Sequence, residues 1–232
     1  PNARNLLRKI VDAEFDISNE AFPFMACGAI TVCGGLRARL FRISFSGELA
    51  YEIAVPTRYG DAMIRALIDA GEEFGGCAYG TEALGVMRIE KGHATGNELN
   101  GTTTALNLGM GHMVSTQKDS IGSVLSRRDG LTGDDALKLV GFKPCRTSDP
   151  VPAGSHLMTK GSPIDAKHDQ GYVTSTCYSP TLGHHIAIGF LKSGNQRLGE
   201  IVRLVSPLTN IEHDVEVVSS HFVDPDGDKL RA

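Results

Sequence analysis

From about residue 135 onward the sequence breaks into short apolar runs, 137–142, 171–178, 185–191, 200–205 and 214–220, separated by clusters of Gly, Pro, Asn and Ser. Runs of this length and spacing predict a small all-β barrel or sandwich, because none is long enough to bury its apolar face alone. Residues 144–155, with Pro144, Asp149, Pro150, Pro152 and Gly154, read as a loop. The upstream texture differs. Leu6, Leu7, Ile10 and Val11 recur at helical spacing within 5–14. Residues 36–44 alternate, with Leu36, Ala38 and Leu40 on one face and Arg37, Arg39, Phe41 and Ile43 on the other. Ser46-Gly47 is expected to turn this strand into a second one, 51–55, ended by Pro56. A helix capped by Thr57 follows, with Met63, Ala66, Leu67 and Ala70 inward and Gly75-Gly76 at its end. Thr81 opens another helix that runs through Glu90 and stops at Gly92. The expected fold class is α+β followed by a β-barrel, with domains at 1–132 and 133–232.

Composition narrows the function. Hydrophobic residues at 41% and charged residues at 22% describe a globular chain and exclude disorder. A net charge of −4 gives nucleic acid no basic footprint. No apolar run approaches the roughly 18 residues that a bilayer span needs, so no membrane partner is expected. Cys27, Cys33, Cys77, Cys145 and Cys177 are scattered and never form C-x-x-C. They read as reduced thiols of a cytoplasmic protein, mostly packed as small hydrophobes and not joined in disulfides. His184 and His185 are adjacent on a strand and point to opposite faces, so no metal site is expected. The sequence opens on Pro1, not Met, and is expected to be part of a longer polypeptide.

Common catalytic signatures are absent. Gly109-Met110-Gly111 lacks the third glycine of a dinucleotide fingerprint, because Val114 stands there. The densest polar cluster is Ser46-Gly47-Glu48-Leu49-Ala50-Tyr51-Glu52. In an extended chain Glu48 and Glu52 share a face and Tyr51 lies on the other. A carboxylate there can accept two N–H donors from an aminopyrimidine edge; a solvated hairpin explains the same residues. Arg88, Glu90 and Lys91 read as an exposed, salt-bridged helix face.

Residues 44–56, centred on Ser46-Gly47-Glu48-Leu49-Ala50-Tyr51-Glu52, resemble the Y-T-G-E-x-G-[FY]-E-I-x-V-P stretch of the glycine-cleavage T-protein (aminomethyltransferase) family. Met87-Arg88-Ile89-Glu90-Lys91-Gly92, then Gly96-Asn97-Glu98-Leu99 and Thr102-Thr103-Thr104, resemble its L-R-L-E-x-G…G-N-E-I…T-T-P. Ser179-Pro180-Thr181-Leu182-Gly183, leading into Ile186-Ala187-Ile188-Gly189-Phe190, is similar to its S-P-T-L-G-x-x-I-A-L-G-Y. Within the family, residues 80–92 and 224–232 are most similar to the C-terminal region of heterotetrameric sarcosine oxidase alpha subunits.

The resemblance implies a T-protein-like cloverleaf portion around a folate site, lacking its N-terminal part, followed by the barrel. It implies an oxidoreductase in which a flavin on a partner subunit oxidises sarcosine. The folate domain then takes the carbon onto tetrahydrofolate as 5,10-methylenetetrahydrofolate. Flavins and NAD are expected on other parts of the complex, and the other subunits are the expected partners. The family's pterin-binding carboxylate falls on Glu52, with Tyr51 and Glu48 beside it, while the acid that assists the transfer lies upstream of Pro1, so this stretch alone is expected to be inactive. Leu84 stands where T-proteins carry a folate-contacting Arg, Ser120-Ile121-Gly122-Ser123 replaces F-I-G-K, and His112 replaces Trp. A glycine-cleavage aminomethyltransferase and a non-catalytic folate-fold scaffold for subunit docking are the alternatives.

Overall fold

A computed structural model describes residues 2–232. The chain forms two compact units, one comprising the residues up to Met87 together with Asp224–Ala232, the other Arg88–Val223. The change of texture read near residue 132 coincides with the approach to the barrel strands, while the division between the units falls at Met87/Arg88, inside a helix.

The first unit is built on a three-stranded antiparallel sheet of β1 (Cys27–Val32), β2 (Leu36–Phe41) and β3 (Glu52–Ala54), in that order. Its buried face joins Ile30, Val32, Ala38 and Leu40 to Leu7, Ile10, Ile17 and Met63, the last from helix α2 (Gly60–Gly71). The expected helix over 5–14 shrinks to α1 (Ala3–Leu7). Its continuation is diverted because the backbone of the next residues bonds to β1 and the turn after it. The Cys33 amide donates to the Ile10 carbonyl, the Asp12 amide to the Thr31 carbonyl, and Val11 bridges Val32. The Asp12 carboxylate then accepts from the Gly34 and Gly35 amides, both at 2.8 Å, fixing the β1–β2 turn. Strand β1 was not expected from sequence, although Ile30-Thr31-Val32 before Gly34-Gly35 is a β-branched run before a turn. Thr57 caps nothing with its side chain; it begins a 3₁₀ turn (Thr57–Tyr59) that follows Pro56.

The second unit begins in α3 (Thr81–Lys91) and, after a long segment containing the short α4 (Asp129–Thr132), closes a six-stranded barrel. The strands are β4 (Leu137–Pro144), β5 (His156–Met158), β6 (Asp169–Ser179), β7 (His184–Lys192), β8 (Ile201–Ser206) and β9 (Ile211–Val218). They neighbour one another in the order β4-β7-β6-β5-β8-β9 and close through the β9–β4 pairing. Closure leaves no unpaired edge, and the interior fills with Phe142, Leu157, Leu191, Val202, Leu204 and Val217. Strands cover well over half of residues 171–220, as the apolar runs predicted. The added strand is β5, three residues too short to show a period.

The chain returns to the first unit through Asp224–Ala232, which ends in α5 (Asp228–Arg231). Among the described residues, no helix is long and apolar enough to cross a membrane, and no group of three or more His, Cys, Asp or Glu is placed to hold a metal ion.

All five cysteines are free thiols, and the expectation that most are packed is corrected. Cys27, Cys33, Cys77 and Cys145 are exposed, and only Cys177 is partly buried. Burial, then the Glu90 carboxylate, push the Cys177 thiol up to about 12, against the opposing charge of Arg88. Burial and then Asp214 and Glu216 raise Cys145 as well. Because the thiolate is the nucleophile, titration of native protein with a disulfide reagent at pH 8 should modify Cys27, Cys33 and Cys77 first, Cys145 more slowly and Cys177 last. Reaction of Cys177 at the rate of Cys27 would contradict this order.

Candidate functional site

The open face of the three-stranded sheet is set by register. Cys27, Phe41 and Glu52 lie in one row across β1, β2 and β3; Ala29, Arg39 and Ala54 lie in the next. Alternation sends Ile53 into the core and leaves Glu52 and Ala54 exposed. Directly opposed side chains on adjacent strands have Cβ atoms roughly 4.5–5.5 Å apart. Glu52 and Phe41 are therefore neighbours on this face, which also carries exposed Arg39 among the small residues Cys27, Ala29 and Ala54. Among the described residues, neither a hydrogen bond nor an ion pair engages the Glu52 carboxylate.

Glu52 is solvent-exposed. Contrary to the extended-chain reading, Glu48 and Glu52 do not share a strand face. Ser46-Gly47 is no two-residue hairpin turn but part of a loop from Arg42 to Tyr51 that bends at residues 45–49. The Gly47 amide donates to Ser44 Oγ at 3.0 Å, and Leu49 is buried. Tyr51 packs against the core, and its hydroxyl accepts from Arg4 Nε at 2.9 Å. The Glu48 carboxylate pairs with Lys229 Nζ at 3.4 Å, with both side chains about half exposed. Sequence reasoning had Phe41 and Arg39 on one face but did not join them to Glu52; only the β2–β3 register does that.

The second polar cluster is the reverse of what was expected. Arg88, Glu90 and Lys91 are buried, not an exposed face, because the last turn of α3 seats Ile89 against Ile186 and Ile188 of β7. Glu98, with no exposed surface, anchors the arrangement. Its Oε2 accepts from Arg88 Nη1 at 3.2 Å and from the Thr95 amide at 2.8 Å, and its Oε1 accepts from Ser175 Oγ at 2.6 Å. Arg88 Nη2 donates to the same Ser175 hydroxyl at 2.7 Å. Burial alone raises the Glu98 pKa, but the hydroxyls of Ser175 and Thr174, the Thr95 amide and then the Arg88 charge outweigh it. They hold the carboxyl below its ordinary value. In parallel, Ser179 Oγ donates to Glu90 Oε1 at 2.5 Å, while the Glu90 carbonyl accepts from the Phe222 and Val223 amides, both at 2.9 Å. Arg88, Glu90 and Glu98 each find a side-chain partner within the unit. This cluster holds α3 and the following loop on the barrel.

Two family models match the chain: the GCVT N-terminal domain over residues 1–118, and the glycine cleavage T-protein C-terminal barrel domain over residues 138–224. Sarcosine oxidase subunit alpha from Rhizobium meliloti (strain 1021) is 45% identical over 232 residues, covering 99% of this chain and 23% of that protein. An aminomethyltransferase from Halothermothrix orenii is 30% identical over 229 residues, covering 96% of this chain and 59% of that protein. The crystal structure of the glycine cleavage system aminomethyltransferase T from Bartonella henselae shares the fold at a TM-score of 0.73 and 22% identity, over 95% of this chain and 57% of that one. The chain thus spans about a quarter of the oxidase subunit and less than two thirds of the aminomethyltransferases it matches. With the first model alone covering half of the sequence and the second falling on the barrel, the chain belongs to the glycine cleavage T-protein family.

Proposed function

We propose that this chain is the folate-binding, one-carbon-accepting part of a sarcosine-oxidase-type alpha subunit. The observation that carries the reading is the 45% identity to a sarcosine oxidase alpha subunit along 99% of the chain. The open sheet face is consistent with it. An unengaged carboxylate next to an aromatic ring suits a flat, N–H-rich heterocycle, which a carboxylate receives in a two-point contact and an aromatic edge or face flanks. In this reading Glu52 accepts the pterin N–H donors, Phe41 borders the ring, and Tyr51 and Glu48 shape the loop that leads into β3.

Tetrahydrofolate supplies the acceptor nitrogens for a one-carbon unit released when sarcosine is oxidised by a flavin elsewhere in the complex. The product would be 5,10-methylenetetrahydrofolate, with glycine released. This chain's part is to bind and orient the folate, and the other subunits are its partners. Cys27, Ala29 and Ala54 present little bulk on the face that carries Glu52, exposed Arg39 stands in the next row, and the backbone pairing of β3 with β2 holds the direction of Glu52.

Calorimetric titration of tetrahydrofolate into the protein and its Glu52→Ala variant tests the assignment. A lost charge-assisted contact is worth about 1–3 kcal/mol, so affinity should fall roughly tenfold to a hundredfold while the thermal transition stays in place. Equal affinities for the two proteins would remove Glu52 from the site.

A further inference from the structure

Asn100-Gly101 is the one Asn-Gly step in the sequence, and both residues are exposed on the segment that follows α3. The turn that carries them is fixed at both ends. Buried Glu98 precedes it, and after it the Thr104 hydroxyl and amide both donate to Asn107 Oδ1, at 2.6 and 2.7 Å. Across the turn the Thr103 amide donates to the main-chain carbonyl of Asn100 at 3.1 Å. The Asn100 side chain folds back over the peptide that follows it. Its Oδ1 accepts from the Thr102 amide at 2.9 Å, the Thr102 hydroxyl at 2.7 Å and the Thr103 hydroxyl at 3.1 Å. One carboxamide oxygen thus takes three donors, while among the described residues the Gly101 amide donates to nothing.

Donors converging at this distance on one oxygen stabilise negative charge that develops there during a reaction. The oxygen they surround becomes negative when a nitrogen attacks Asn100 Cγ. The Gly101 nitrogen closes a five-membered ring on that carbon, and no hydrogen bond holds it back. Glycine has no Cβ to crowd the approach, and even a Cβ built at Gly101 meets nothing within 4 Å.

We propose that Asn100-Gly101 is a self-modifying site, at which the folded turn converts Asn100 to an aspartyl or isoaspartyl residue with water as the sole co-reactant. Hydroxide removes the Gly101 amide proton, and the nitrogen forms a bond to Asn100 Cγ. The three donors hold the resulting oxyanion. The Cγ–Nδ2 bond then breaks, and ammonia leaves with a proton taken from water, which restores the hydroxide. Water opens the cyclic imide at either carbonyl. One opening leaves an aspartyl side chain, whose carboxylate keeps the same three donors with charge added. The other routes the main chain through the former side chain, lengthens it by one carbon and pulls on the Thr104–Asn107 contacts. Asn107 Nδ2 donates to the Leu137 carbonyl at 2.7 Å, so that displacement reaches the start of β4.

The test follows the 232-residue chain at pH 8 and 37 °C by peptide mapping and tandem mass spectrometry, beside a synthetic peptide of residues 92–118 as the unstructured reference. Asn100 in the folded chain should gain the mass of an amide-to-acid exchange about threefold to tenfold faster than in the peptide, the effect of hydrogen bonds of ordinary strength. Asn97, followed by Glu98, should stay unmodified over that interval. Thr102→Val and Thr103→Val each remove one hydroxyl at nearly constant shape, and each should slow the folded chain toward the peptide rate. Wild type held unfolded in urea, which needs no variant, should react at the peptide rate. A folded chain that reacts no faster than the peptide, or valine variants that react as fast as wild type, overturns the proposal.

Discussion

Glu98→Gln should lower the stability of the barrel-containing unit by about 3–5 kcal/mol at neutral pH, the usual cost of removing one partner from a buried ion pair. The substitution keeps the shape and leaves Arg88 buried without a counter-charge. It also sets a donor against a donor. Ser175 Oγ donates to Glu98 Oε1 at 2.6 Å, so an amide nitrogen there takes the acceptor away from that hydroxyl, and a carbonyl there turns the nitrogen toward Arg88 and the Thr95 amide. The pH dependence carries a sign. The folded-state pKa of Glu98 is depressed, so its contribution is complete above the unfolded value of roughly 4.3 and is lost as pH falls through the folded value. Urea unfolding of wild type and variant should therefore show a gap that is constant from pH 8 to about pH 5 and narrows only in stronger acid. A gap below 1 kcal/mol at pH 7 would mean that the network contributes little.

This cluster also shows what the sequence did and did not disclose. The barrel was legible because its strands carry apolar residues at strand length and spacing, a local property. The burial of Arg88, Glu90 and Lys91 was not, because charged residues at i,i+3 spacing describe an exposed helix face equally well. What distinguishes the two is a partner 87 positions away for Arg88 and 89 positions away for Glu90. The family-like motifs at 87–92, 96–99 and 179–183 turn out to be joined by these contacts: Arg88 to Glu98, and Glu90 to Ser179. Much of what looked chemical in those segments is therefore structural.

The hairpin shows the opposite failure. Its alternation was read correctly in β2, but the ten-residue loop from Arg42 to Tyr51 breaks the extended geometry that would have aligned Glu48 with Glu52. Which residues flank Glu52 depends on the Phe41–Glu52 register, which is not a local property of either strand. Residues 10–12 failed as a helix for a related reason. Their spacing was helical, but β1 and the turn after it supplied the backbone partners, and tertiary pairing overrode periodicity.

Gly92→Ala should be comparably severe, about 3 kcal/mol or more, for a reason independent of charge. Gly92 ends α3 at a φ of +81°, where an L side chain costs about 1–2 kcal/mol before any contact is considered. A Cβ built there would lie 2.4 Å from the Ser220 carbonyl oxygen and 2.9 Å from its carbon, and those are backbone atoms that no rotamer change can move. The segment that would have to yield leads to Phe222 and Val223, whose amides are held by the Glu90 carbonyl. Displacing it therefore loosens the seat of α3 on the barrel as well. Gly85→Ala is the matched control. It lies within the same helix with nothing within 4 Å of its built Cβ, so relief of glycine's helix penalty should stabilise by up to about 1 kcal/mol. Thermal melts of the two variants should move in opposite directions. A Gly92→Ala protein that melts with wild type would show that Ser220 yields freely, and that the close approach of α3 to the barrel exit contributes little to the fold.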